Sequence, residues 1–163
     1  MVQMIKDDSF YIQKALDEAA QAFAVDEVPI GAIVVDAQGA IIGQAYNQTV
    51  KENSPLAHAE ILAIKQAAEA LGDWRLDDCT LYVTLEPCTL CMQLIIMSRI
   101  KRLVYGASSP LYGFSSDKFC VFDVSKMKLM IQKGIEEEAA QQLLKRFFNK
   151  KRSCNGTQKI EQG

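Results

Sequence analysis

Apolar residues recur at Ile12, Leu16, Ala19 and Phe23, the spacing of one face of an amphipathic helix over Phe10–Ala24. Pro29 and Gly31 punctuate its exit, and residues 30–35 (IGAIVV) follow as an unbroken, β-branched apolar run, the pattern of a strand covered on both faces. A turn at Ala37-Gln38-Gly39 leads into a second strand, Ala40–Asn47, so residues 28–47 read as a hairpin. Past the polar stretch TVKENSPL, with a turn at Ser54-Pro55, the positions Ile61, Ile64, Ala68 and Leu71 mark one face of a helix over Ala57–Leu71. Gly72 is placed to close it. Thr80–Leu85 alternates Leu81, Val83 and Leu85 against Tyr82 and Thr84, a strand. Pro87 suits a first helical turn, which predicts a helix over Cys88–Arg99. Arg102–Ala107 is a fourth strand. Residues 108–125, SSPLYGFSSDKFCVFDVS, read as an irregular stretch that is either a functional loop or a poorly ordered one, and Lys128–Lys133 as a short fifth strand. After Gly134 a last helix runs to about Asn149 with Ile135, Ala139, Leu143 and Phe147 on one stripe.

Strands alternating with helices imply an α/β fold: a three-layer α/β/α arrangement whose five-stranded sheet is mixed because it begins with a hairpin. At 163 residues the chain is one domain by length, assigned to residues 1–152, with 153–163 as a tail expected to fray. The 49% hydrophobic, 23% charged composition is that of a globular protein, and no apolar run has the roughly 20 residues a membrane span needs. Lys6, Asp7 and Asp8 interrupt any signal-peptide pattern, and five cysteines are an odd number, so a reducing, cytoplasmic setting is expected. A net charge of −2 makes no global case for nucleic acid. Lys145, Arg146, Lys150, Lys151 and Arg152 nevertheless cluster near the end of the last helix, where they either complement its dipole or contact RNA.

Chemistry concentrates in two short motifs, His58-Ala59-Glu60 and Pro87-Cys88-Thr89-Leu90-Cys91. One imidazole and two thiols make three zinc-type ligands, the number that leaves a coordination position open for water. A closed structural site is the alternative if Cys79 or Cys120 supplies a fourth ligand. Glu60 stands beside the ligands as a carboxylate able to carry protons. On a regular helix surface His58 and Glu60, two residues apart, diverge. Both address one ion only if their helix aims its N-terminus at it, so two helix starts, near Ala57 and Pro87, must face each other. The predicted reaction class is metal-assisted hydrolysis.

The motif, together with VPIGAIVV, Asn47, AHAEILAI, TLYVTLEPCTLCMQLIIMSRIKRLVYGA and the closing FFNKKR, resembles the zinc-dependent deaminases of nucleobases and nucleosides, and within them the bacterial tRNA adenosine deaminases. The resemblance covers roughly residues 8–152. It implies a cytidine deaminase-like fold and conversion of adenosine to inosine at the wobble position of a tRNA anticodon stem-loop by a homodimer. It also implies one Zn²⁺ per subunit on His58, Cys88 and Cys91, Glu60 as catalytic proton carrier and Asn47 as a substrate contact. A guanine or other free-base deaminase of the same fold is the alternative. Ser108-Ser109-Pro110-Leu111-Tyr112 departs from the family pattern, which continues there with acidic residues and a Lys/Gly-rich stretch. Tyr112 and Phe114 are candidates to stack on bases. Phe147 and Phe148 are assigned to core and dimer packing, and Cys79, Cys120 and Cys154 to inert thiols.

Overall fold

Asp7 begins the first helix in the computed structural model, which describes residues 6–116 and 127–158. Its carboxylate accepts the Phe10 N–H at 2.9 Å, so α1 spans Asp8–Ala24, starting two residues ahead of the apolar period. There follow β1 (Gly31–Val35), β2 (Ile41–Tyr46), α2 (Ala59–Leu71), β3 (Thr80–Leu85), α3 (Thr89–Met97), β4 (Arg102–Ala107), β5 (Met130–Lys133) and α4 (Glu137–Gln158). The alternation locates β3 and β4 to the residue. Helix starts are less legible: α3 begins after Cys88, and α4 passes Asn149 into the segment read as a tail. Because α4 is longer than expected, its last turn carries no basic residue. Cys120 and the rest of 117–126 lie outside the described residues.

The sheet order is β2-β1-β3-β4-β5. β1 pairs antiparallel with β2 and β3, whereas β3–β4 and β4–β5 are parallel, giving the mixed five-stranded sheet expected. Alternate strand residues feed two cores. Ala32, Val34, Leu81, Val83 and Leu103 meet α2 and α3 through Ala59, Ala63, Met92 and Ile95. Ile33, Val35, Tyr82 and Val104 meet α1 and α4 through Tyr11, Ile12, Leu16 and Ala140. Every residue of β1 is buried, as its unbroken apolar run requires.

The buried face of α2 is rotated from the one expected. Ala59, Ala63, Ala67 and Ile64 face inward, while Leu71 is 47% exposed. Close approach accompanies this: a Cβ at Gly43 of β2 would collide with the Ala63 carbonyl and crowd the Ala67 N–H, so the strand lies against the helix backbone at these alanines. Gly31 plays the same part under α1, where a Cβ would strike the Ala15 carbonyl. Across the sheet, Arg102 donates to both carboxylate oxygens of Asp8 at 2.6 Å, and the Tyr82 hydroxyl adds a bond to Asp8 at 3.0 Å. These contacts tie the start of α1 to β3 and β4. The parallel strands β3, β4 and β5 run in one direction and end at one edge of the sheet, and the starts of α2 and α3 converge there, the position where open α/β sheets hold ligands.

Candidate active site

His58 and Cys88 occupy equivalent places: each is the N-cap of its helix, with extended backbone (φ −77°, ψ 146° and φ −71°, ψ 168°). Neither is yet helical, so each side chain swings ahead of its helix toward the other. His58 Nδ1 lies 3.7 Å from Cys88 Sγ and 3.4 Å from Cys91 Sγ. Cys91, one turn into α3, is buried. The non-helical position of His58 also removes the divergence expected for residues two apart, because only Glu60 obeys the helical period.

The three donor atoms lie within 4.8 Å of one another. Tetrahedral zinc, about 2.3 Å from sulfur and about 2.0–2.1 Å from nitrogen, sets S···N separations of about 3.5 Å, and the observed distances bracket that value. Protonation points the same way. The Cys88 thiol is pushed down to about 4, chiefly by the hydrogen bond from Cys91, with His58 also helping. Cys91 is pushed far up by the Cys88 thiolate and by burial. The pair thus holds one proton between two sulfurs, and a cation is what lets both ionise. His58 is raised, first by its hydrogen bond to Cys88. The donor set fits a metal ion. Cys79 is not part of it; that residue is buried in the core just ahead of β3, and no fourth ligand joins the group among the described residues.

Glu60 is 4% exposed, and burial raises its carboxyl to about 7. Asn47, buried at the end of the β1–β2 hairpin, accepts the Ala59 N–H on Oδ1 at 3.2 Å and donates its own N–H to the Ile30 carbonyl at 3.0 Å. It therefore both closes the hairpin and braces the helix start that carries His58 and Glu60.

His58, Glu60, Cys88 and Asn47 open into one cavity of about 610 Å³. Its walls include Val28, Ile30 and Leu85, and its mouth carries Leu111 and Tyr112, 83% and 77% exposed. Phe148 lines the same cavity, a role that its pairing with Phe147 concealed in the sequence; Phe147 is core, as expected. Phe114 is buried edge-on against Tyr105, with ring centroids 6.4 Å apart, and is unavailable to a base. Glu86, which the motif reading passed over, is 4% exposed and binds the loop after β4. Its one sequence signal is a charge ending an apolar strand directly before Pro87. The basic cluster is partly engaged: Lys150 and Lys151 pair with Asp26 beyond the end of α1, and Arg146 and Lys150 lie over the Phe23 ring.

Comparison with known proteins agrees with this geometry. The profile of the family described as MafB19-like deaminase matches residues 6–152. A tRNA-specific adenosine deaminase of Haemophilus influenzae is 43% identical over 147 residues, covering 89% of this chain and 85% of that one. A structure solved in work on A-to-I editing by tRNA:A34 deaminases at the wobble position of transfer RNA superposes with a TM-score of 0.73 at 40% identity, over 83% of this chain and 99% of that one. Guanine deaminase from Bacillus subtilis aligns at 33% identity and a TM-score of 0.60, over 74% and 73% of the two chains. Family profile, relative and fold coincide, and this chain belongs to the tRNA-specific adenosine deaminases of the MafB19-like deaminase family.

Proposed function

We propose that this chain hydrolyses adenosine to inosine at the wobble position of tRNA, releasing ammonia, as a single cytoplasmic deaminase domain. One observation carries the reading: a single cavity joins His58 and Cys88, two of the three clustered zinc-type donors, to a buried carboxylate and an amide side chain beneath an aromatic mouth, with Cys91 buried behind them. His58 Nδ1 and the Cys88 and Cys91 sulfurs would hold one zinc ion per subunit. Bound there, zinc supplies a Lewis acid that lets water act as a nucleophile near neutral pH.

The chain's own groups do the rest. Glu60 lies two residues beyond His58 and inside the cavity, placed to take a proton from the attacking water and return it to the departing amine. Asn47 offers its amide at the cavity wall and fixes the sugar or base edge relative to Glu60. Val28, Ile30 and Leu85 exclude bulk water from the reacting face. Because the acid–base group is buried, the target base must leave its stack to reach it, which suits an adenosine in an anticodon loop.

A homodimer is part of the same proposal. α3 carries TLCMQLIIM, apolar almost all round, yet Leu90 and Met97 are 49% and 60% exposed. A surface helix of this kind is accounted for by a second copy covering it.

Deamination of a free base such as guanine is the second reading, favoured by the likeness to the Bacillus subtilis guanine deaminase. An assay with an anticodon stem-loop carrying a wobble adenosine, run beside free adenosine, guanine and cytosine, separates the two. Inosine is expected in the stem-loop alone. Turnover confined to a free base overturns the tRNA assignment.

A further inference from the structure

Glu86 has no step in that reaction, yet it is among the most buried charged side chains described, at 4% exposure. A carboxylate so placed is costly unless its oxygens are satisfied by donors. Here they are, and all the donors come from one loop. Oε2 accepts the Ser109 N–H at 2.9 Å; Oε1 accepts the Ser115 N–H at 3.1 Å and the Ser115 hydroxyl. One side chain at the end of β3 thereby fastens both ends of residues 109–115. The main chain follows the same path. The Glu86 N–H donates to the Ala107 carbonyl at 2.8 Å, the Phe114 N–H to the Pro87 carbonyl at 2.9 Å, and the Gly113 N–H to the Ser109 carbonyl at 2.8 Å. Gly113 forms a β-bridge with Cys88 itself. The packing leaves no slack, since a Cβ at Gly113 would collide with the Glu86 carboxylate and crowd the Ser109 carbonyl.

Between its two fastened ends the loop presents Leu111 and Tyr112 to solvent at the cavity mouth, while Ser109 and Pro110 form part of the wall. We propose that Glu86 is a positioning residue that sets substrate specificity: its carboxylate staples residues 109–115 over Cys88 and so decides where Leu111 and Tyr112 meet the nucleotides flanking the target. The identification of those nucleotides rests on the tRNA reading above; the staple itself does not. The chemistry requires a group that only accepts, because Ser109 and Ser115 both donate. A glutamine of the same shape fails on one side, where its NH₂ faces an N–H.

The test compares zinc-loaded wild type, Glu86→Gln and Gly113→Ala, the second variant forcing the staple from the loop side should the first fold poorly. Each is assayed on the anticodon stem-loop and, separately, by limited chymotrypsin digestion followed at Leu111 and Tyr112. In both variants KM for the stem-loop is expected to rise about tenfold while kcat falls less, since the loss is one of substrate placement. Cleavage at Leu111–Tyr112 accelerates, with metal content unchanged. A Glu86→Gln protein that melts earlier but keeps wild-type KM and wild-type cleavage reduces Glu86 to a structural carboxylate and overturns the proposal. If the wild type does not turn over the stem-loop, the tRNA reading falls, and the digestion still decides the staple.

Discussion

Glu60 and His58 are two residues apart but answer to different local geometry, and that difference is what lets them share a site. His58 is extended, as an N-cap, while Glu60 is in the first helical turn with 4% exposure. A proton carrier at this point has a specific signature on substitution. Glu60→Gln keeps the volume and loses proton exchange, so kcat is expected to fall about 10²–10⁴-fold while zinc, measured by elemental analysis, stays at one per chain. Near wild-type turnover removes Glu60 from the reaction, and loss of zinc reassigns it as a ligand. The motif residues were legible because ligand types and spacing are chemical signals carried by the chain itself. Glu86 and Phe148 were not. Glu86 finds Ser109 23 residues further on, and the Phe148 side of α4 is set by how the helix lies on β3 and β4.

Among the elements, the joint between α1 and the sheet is polar and depends on pH. Arg102 is the main reason the Asp8 carboxyl sits below its usual value, with Tyr82 contributing. A depressed carboxylate adds stability that is complete above the unfolded pKa of about 3.9 and is lost as pH falls through the lower folded value. Because the pair is partly exposed, Asp8→Asn is expected to cost only about 1 kcal/mol at pH 7. The difference in melting temperature between wild type and variant should shrink at pH 3. A deficit of equal size at both pH values would remove the ion pair from the joint. The α2 face teaches the complementary point. Periodicity located the helix and placed Ile64 inward, but it set Leu71 on the same face, whereas Ala59, Ala63 and Ala67 are the ones buried and Ala63 and Ala67 lie where Gly43 lets the backbones approach.

At the scale of the whole molecule, the charge near the C-terminus and the apolar skin of α3 point to different surfaces. Lys150 and Lys151 are already paired with Asp26, which binds α4 to the turn after α1 and reduces what they can offer to RNA. No helix among the described residues is long and apolar enough to cross a membrane. In the homodimer proposed above, a second copy covers Leu90 and Met97, which are exposed on α3. Leu90→Glu with Met97→Glu is expected to convert a dimer to monomers in sedimentation velocity, because two buried charges without partners oppose the contact. A wild-type protein that sediments as a monomer at micromolar concentration would exclude this face as a stable homodimer interface.

Hydrophobic period and motif spacing by themselves determined the order of helices and strands, the mixed sheet and the set His58, Glu60, Cys88 and Cys91. These are properties of neighbours along the chain, where backbone geometry translates spacing directly into direction. Tertiary structure decided that His58 and Cys88 are both N-caps, that Ala63 and Ala67 lie against Gly43 of β2, that Phe114 turns inward while Tyr112 stays out, and that Glu86 holds the loop that carries both rings. Each of those outcomes depends on space and on hydrogen-bond donors supplied by distant segments, and a linear pattern carries no record of either.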